Sequence, residues 1–312
     1  MASLRQSLKS IGAPPKFPFH MRADFGQRTP RSLRAAMAGM TDPQVSSWSH
    51  LGIALARENT DTSDNAQGVT TDGALWYVVA NGADGLAPVI GVYDNAHQTV
   101  NKLHPTAEKH SKLINAGDGT PHFGAPCFRN GFLHVPIQQP QALWRLAPDG
   151  GNQTVVLLEA EHQVAGAMPW CDIHPLTDLL YTSKFDIEES ESPILFAYRW
   201  QDMTRVPAAD ITLQKGSMYL DQVQGGFFTD RGRVILSRRD PNRVHCYSAL
   251  NGHYFGGREL GEIDSEAEGV TIRAWNFGSS QAIVHILEQD VDYPAPSDFY
   301  LHSYGVPDPD RL

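Results

Sequence analysis

The 312-residue chain is 41% hydrophobic and 19% charged, which suits one large domain with a substantial core. Its formal net charge is −10, from 25 basic and 35 acidic side chains, and no basic run is interleaved with aromatics. That balance disfavours a polyanionic partner and excludes nucleic acid as an expected ligand.

No stretch is long and apolar enough to cross a membrane, and residues 1–10 lack the apolar core of a secretory leader. Cys127, Cys171 and Cys246 are sparse and odd in number, which does not make a disulfide framework. The expectation is a cytoplasmic protein with reduced thiols. Nothing in the sequence fixes an oligomeric state.

Residues 1–44 read as an N-terminal extension ahead of a single domain over 45–312. Thr29 followed by Pro30 and the run Arg31–Met37 predicts a short capped helix that Gly39 can end. From residue 48 the pattern changes to strands. Residues 48–56 form one with no sequence neighbour to pair with. Four groups of four then follow, broken by Gly, Asp, Asn and Pro turns. They take residues 66–71, 74–80, 89–94 and 98–104; 122–128, 131–137, 141–147 and 153–159; 168–173, 178–184, 193–199 and 204–213; then 223–228, 232–238, 242–248 and 253–260. The last group has only three: 267–273, 281–288 and 297–304.

A short phrase opens each group. Ala66-Gln67-Gly68-Val69-Thr70, Val223-Gln224-Gly225-Gly226-Phe227 and Ala267-Glu268-Gly269-Val270-Thr271 are its clear copies. Phe123 and Pro169 anchor weaker ones, so the period is 44 to 56 residues. A repeat of this length built from short strands predicts an all-β ring of five four-stranded antiparallel blades. Strand 48–56 completes the last blade, because an unpaired edge is costly and closure removes it.

The pattern over residues 48–304 resembles the β-propeller superfamily, which includes lactonase-like and strictosidine-synthase-like enzymes and small lectin propellers. The resemblance rests on period and strand order, and no motif transfers catalytic residues. It implies a central channel lined by the first strand of each blade, with a ligand at the end where those strands begin. The loops leading into the blades then bring Asp64, Asn65, Gln67, His122, Trp170, Asp221, Gln222, Gln224, Glu266 and Glu268 to one mouth. Loops between second and third strands add Asn81, Gln138, Lys184, Asp186, Arg238, Arg239 and Glu288.

Glu268 is the charged variant of a position that is Gln in two other repeats. A carboxyl ringed by amides in a partly dry funnel can have a raised pKa and serve as acid or base. The two glutamines can equally bond free backbone groups and lock the ring. Trp170 and Tyr219, with Met168 and Met218, are expected to wall the funnel for a small organic ligand. Gln67, His122, Trp170, Asp172, Gln224, Tyr219 and Arg238 form the expected binding set around Glu268.

His122, Cys127, Cys171, Asp172 and His174 could each ligate a metal, but they lack paired spacing, so no transition-metal site is expected. Acidic loops, around Glu288, Asp290, Asp292 and Asp298 and over Asp186, Glu188, Glu189 and Glu191, leave calcium open without an EF-hand pattern. Nucleophile-elbow, phosphate-loop and dinucleotide motifs are absent. The sequence therefore points to a cofactor-independent enzyme for a non-redox step: cyclisation, isomerisation, elimination or hydrolysis. The alternative is a single-site metabolite- or carbohydrate-binding propeller.

Overall fold

The computed structural model describes residues 48–57, 65–81, 88–94, 96, 98–104, 122–138, 140–229, 232–273, 282–290 and 298–306. The expected N-terminal helix lies outside them. The described residues form a five-bladed β-propeller of four-stranded antiparallel sheets.

The chain begins with β1 (Ser49–Arg57) and then builds blade 1 from β2 (Ala66–Thr71), β3 (Trp76–Ala80), β4 (Val89–Tyr93) and β5 (Thr99–Leu103). Blade 2 is β6 (Cys127–Arg129), β7 (Phe132–Ile137), β8 (Ala142–Leu146) and β9 (Thr154–Leu157). Blade 3 is β10 (Asp172–Ile173), β11 (Leu180–Thr182), β12 (Ile194–Tyr198) and β13 (Ile211–Thr212). Blade 4 is β14 (Val223–Phe228), β15 (Arg233–Arg238), β16 (Arg243–Ser248) and β17 (Tyr254–Glu259). Blade 5 is β18 (Glu266–Arg273), β19 (Ala282–Asp290) and β20 (Asp298–Val306), with β1 as its outer strand.

Local chemistry explains the hairpins. Asn130 and Gly131 both take left-handed backbone between β6 and β7, the geometry of a two-residue I′ turn. Asp72 accepts the N–H groups of Ala74 and Leu75 and the Tyr77 hydroxyl, pinning the turn from β2 to β3.

The core is divided into five wedges, one per seam between blades. Trp144 and Tyr77 fill the seam between blades 1 and 2, and Trp170 and Phe228 that between blades 3 and 4. Trp76 and Phe299 fill the seam between blades 5 and 1. At the axis the inner strands β2, β6, β10, β14 and β18 touch in ring order.

A glycine stands at every one of these contacts. A Cβ on Gly68 would lie 2.4 Å from Ala125 Cα, and one on Gly124 would lie 2.4 Å from the Pro169 carbonyl oxygen. At Gly225 it would meet Val270 N at 2.7 Å, at Gly226 the Trp170 ring at 2.8 Å, and at Gly269 the Gly68 Cα at 2.7 Å. Four of these contacts are thus made against backbone, and at the fifth Gly226 makes room for the Trp170 ring, closeness that only glycine permits.

The inner strands of blades 2 and 3 are shorter than the sequence pattern suggests. Pro126 and Pro169 have no N–H to donate to a ladder. Ala125 instead pairs across the seam with Trp170, donating to Pro169 O at 2.8 Å and accepting from Cys171 N at 3.1 Å.

The ring closes as expected through β1, which pairs antiparallel with β20 from Ser49↔Gly305 to Arg57↔Phe299. Trp48 is buried in the seam between blades 4 and 5, and its carbonyl accepts from Arg258 at 2.6 Å. A line of polar contacts crosses the closing blade. His50 Nε2 lies 3.1 Å from His302 Nδ1, and His302 Nε2 lies 2.6 Å from Glu288 Oε2. Glu288 Oε1 accepts from Asp264 N and Ser265 N, both at 2.8 Å. Burial alone would raise the Glu288 pKa. The hydrogen bonds from His302, Ser265 and Asp264 outweigh it and hold the carboxyl below the usual range.

Two variants check the packing at the axis. Gly269→Ala should cost about 1–3 kcal/mol by overpacking, whereas Gly261→Ala, which meets nothing within 4 Å, should stay within about 0.5 kcal/mol. Denaturant midpoints of the two variants read the difference. Removing residues 1–56 should abolish soluble expression, because it exposes the edge of β20.

Candidate functional site at the mouth of the channel

The three clear copies of the repeated phrase share a backbone irregularity. In β2, Ala66 faces Ala80 and Gly68 faces Val79, so Gln67 is the extra residue of a bulge. In β14, Val223 faces Arg238 and Gly225 faces Ser237, which makes Gln224 the extra residue. In β18, the register passes from Ala267↔Glu288 to Val270↔Ile286 and leaves Glu268 and Gly269 opposite Leu287. A bulge turns its extra side chain away from the regular pleat, so the phrase presents one polar group just before each axial glycine.

These groups meet across blades. Gln224 Nε2 donates to Glu268 Oε1 at 2.9 Å, joining blades 4 and 5. Gln67 donates to Asn65 Oδ1 at 2.8 Å and to Gln289 Oε1 at 3.3 Å, joining blades 1 and 5. Both glutamines are buried, and Glu268 is 1% exposed. Burial, and then the nearby Glu266 carboxylate, push the Glu268 pKa well above its ordinary value, against the opposing pull of Arg239. Since Oε1 already accepts a hydrogen bond, the proton of the neutral acid belongs on Oε2. Among the described residues no N–H or hydroxyl donates to Oε2, and the Glu266 side chain is a hydrogen-bond partner of the protonated acid.

Around this acid the mouth carries further groups that have no partner among the described residues. His122 is half-buried with Nδ1 unpartnered, and its pKa is lowered by burial and then by the charge of Arg239. Asn81 accepts from Phe123 N at 2.7 Å, but its Nδ2 is buried and unpartnered. Gln222 has a buried, unpartnered Oε1 and a left-handed backbone at φ 45°, an unusual conformation for glutamine. Asn65, its counterpart in blade 1, is also left-handed at φ 56°. Polar atoms left open in this way come from blades 1, 2, 4 and 5. The formal charges nearby are matched, because Arg239 Nη1 lies 2.7 Å from Glu266 Oε2. A groove of about 620 Å³ runs beside the mouth and shares Gln222, Arg239 and Glu266 with it.

The structure does not bring the whole expected set together. Trp170 does not wall the channel. It is fully buried against Gly226 in the seam between blades 3 and 4, and its Nε1 donates to Ser183 Oγ at 2.8 Å. Asp172 is three residues further along its inner strand than the anchor Pro169, away from the mouth. It is ion-paired with Arg129 at 3.2 Å and accepts from Phe228 N at 2.7 Å, bolting blades 2, 3 and 4 together.

Tyr219 is 38% exposed, and its hydroxyl donates to Ile187 O. Arg238 spends its guanidinium on the carbonyls of Tyr219 and Asp240, at 2.9 and 2.6 Å. The two contact each other, the Arg238 guanidinium lying 5.9 Å from the centre of the Tyr219 ring. Gln289, which the sequence did not single out, is brought in by its pairing with Glu266 across β18 and β19.

Among the described residues, those considered as metal ligands do not gather into a mutually close group of three. His174 is held by Ala249 O at 3.1 Å, and Cys171 lies against Cys127. Glu288 is committed to the closing blade, and Asp292 lies outside the described residues. Among the described residues the ligating group with mutually close atoms is Glu159, Glu161 and His162, in which both glutamates are exposed. No described helix is long and apolar enough to cross a membrane.

The raised Glu268 pKa fixes the sign of a stability effect. Below the ordinary glutamate value of 4.5 the side chain is protonated in both folded and unfolded chains and adds no pH dependence. Above it the unfolded chain releases the proton while the folded one keeps it, so stability falls as pH rises towards the folded value. Glu268→Gln should therefore match the wild type near pH 4 and exceed it at neutral pH. The gap should grow by at most about 1.4 kcal/mol per pH unit, read from melting curves. Asp172→Ala should cost about 2–3 kcal/mol at neutral pH, because it leaves Arg129 and Phe228 N without their partner.

No protein-family model and no curated protein sequence matches the chain. Among solved structures, the fold is similar to the crystal structure of a Myxococcus xanthus glutaminyl cyclase. The TM-score is 0.53 at 10% identity, over 81% of this chain and 97% of that one. A nidogen/laminin complex matches at a TM-score of 0.43 and 13% identity, over 72% and 75% of the two chains. YCF48 bound to D1 peptide matches at 0.41 and 7%, over 80% and 66%. At these identities the likeness is one of fold.

Proposed function

We propose that the chain is an enzyme that carries out a cofactor-independent, non-redox step on a small, uncharged polar molecule at the mouth of the channel, with Glu268 as its general acid. The observation that carries this reading is one buried carboxyl among five repeat-equivalent positions, held neutral beside the Glu266 carboxyl, with no N–H or hydroxyl donating to its proton-bearing oxygen among the described residues. A neutral acid in a dry site is poised to give a proton to a leaving group or a developing oxyanion. The carboxylate that remains would be held by Gln224 Nε2 and the field of Arg239, and would take the proton back in the next step.

The buried atoms of Asn81 and Gln222 that lack a partner among the described residues would offer one donor and one acceptor, which suits a substrate carrying both kinds of group. Gln67, already bonded to Asn65 and Gln289, serves better as a positioning residue than as a direct contact.

Cyclisation, isomerisation, elimination and hydrolysis all need such an acid. The similar propeller is named as a glutaminyl cyclase, which gives cyclisation a precedent on this fold without transferring a residue. A glutaminyl peptide is therefore the first substrate to assay, by release of ammonia. The second reading is a single-site binding propeller. It draws on the contacts of Glu268 and Gln67, which also lock blades 4, 5 and 1 to one another.

Glu268→Gln separates the two. With any substrate the wild type turns over, kcat should fall ~100- to 10,000-fold while affinity changes little. A loss of less than tenfold in kcat would remove Glu268 from the chemistry. A ligand found by thermal shift that protects the wild type, Glu268→Gln and Gln222→Ala equally would place the site elsewhere.

A further inference from the structure

We propose that Cys127 and Cys171 are a cystine site, a covalent staple across the seam between blades 2 and 3 that forms when the chain folds against a small-molecule disulfide. The two thiols belong to the inner strands of adjacent blades, and their sulfurs lie 4.0 Å apart. The backbones at this seam are paired like neighbours in a parallel sheet, through Ala125↔Trp170 and the hydrogen bonds from Ala125 N to Pro169 O and from Cys171 N to Ala125 O. Cys127 lies two residues beyond Ala125 and Cys171 one beyond Trp170, so the two thiols approach each other diagonally across this pairing. A disulfide brings the sulfurs from 4.0 Å to about 2.0 Å, by side-chain rotation that gives up the hydrogen bond from Cys171 Sγ to His134 O at 3.4 Å. Cys246 is on β16, in the wedge between blades 4 and 5, and belongs to a different seam.

This seam gains most from a staple. Its inner strands are the shortest of the ring, three residues in β6 and two in β10. A Cys127–Cys171 bond would enclose the rest of blade 2 in a covalent loop and so restrict the unfolded chain. In the folded protein both thiols are buried, Cys127 5% exposed and Cys171 0%. Burial also pushes the Cys127 thiol well above its ordinary pKa, which keeps the reactive thiolate scarce. The bond therefore forms as the chain folds and persists once the seam has closed.

The chemistry balances with oxidised glutathione as oxidant. One cysteine thiolate attacks it and releases one reduced glutathione, and the second cysteine displaces the other from the mixed disulfide. The protein loses two protons and two electrons, and the oxidant becomes two thiols.

The full chain is refolded from denaturant in a reduced/oxidised glutathione buffer, unfolded again without reductant, and its free thiols are alkylated. The expected product carries one alkyl group, on Cys246, and yields a cross-linked peptide pair holding Cys127 and Cys171. It should melt roughly 5–10 °C above the same protein kept reduced. Because both forms share one sequence, the comparison does not depend on any variant folding. Alkylation of all three cysteines, or a cross-link involving Cys246, would overturn the proposal. Cys246→Ala should leave the cross-link intact, and its loss there would overturn it too.

Discussion

Everything in this ring depends on how closely five backbones can approach one axis. A four-stranded blade is wide at its outer edge and must taper inwards, and the taper ends where inner strands touch without side chains between them. The glycines at 68, 124, 225 and 269 make that contact in four seams, and Gly226 makes room for the Trp170 ring in the fifth. Their common cause is steric, since the nearest neighbour is in most cases main chain that cannot swing aside. The packed axis also determines where chemistry can occur. On the proposed reading, a ligand would sit above the glycines, where the inner strands begin.

The same constraint produces the site. A strand that presents glycine to the axis in register with its neighbours has to bend there, and the bulges at Gln67, Gln224 and Glu268 supply the bend. The polar side chain and the glycine are thus one device. One member narrows the axis, and the other turns a hydrogen-bonding group towards the adjoining blade at the mouth. This is why Gln224 reaches Glu268 and Gln67 reaches Gln289 across seams rather than within a sheet.

Much of this was legible in the sequence, for a physical reason. Blade strands alternate with turns whose residues have strong local preferences, as at Asn130-Gly131, so period and strand count survive without knowledge of tertiary contacts. Closure by residues 48–56 followed from the unpaired edge. Bulges leave no such trace. Strict alternation from the anchor cannot say that Glu268 and Gly269 share one partner position, so the coupling between Gln224 and Glu268 was not readable. Trp170 was expected at the mouth because its loop leads there, yet an indole beside the glycine step at Gly226 is worth more as filling for the seam. Asp172 was misplaced by the same reasoning, which knew the strand but not how far along it the Arg129 pairing lies. His302 and Gln289 lie outside the inner strands, and only the register of blade 5 shows what they touch.

Two roles for Glu268 have been set against each other, a lock for the ring and an acid for a reaction, and the geometry makes them compatible. Locking uses Oε1, which accepts from Gln224, and leaves Oε2 with the proton. The burial that makes the lock effective is also the largest cause of the raised pKa. An ionised glutamate there would have to be desolvated beside Glu266 with only part of the field of Arg239 in compensation, so the neutral form is the one that closes the ring. Purely as a lock, an amide would serve as well, and blades 1 and 4 use one at this position. A carboxyl in the third copy adds the one property an amide lacks, a transferable proton. That difference, rather than the fold, is what favours chemistry at this mouth.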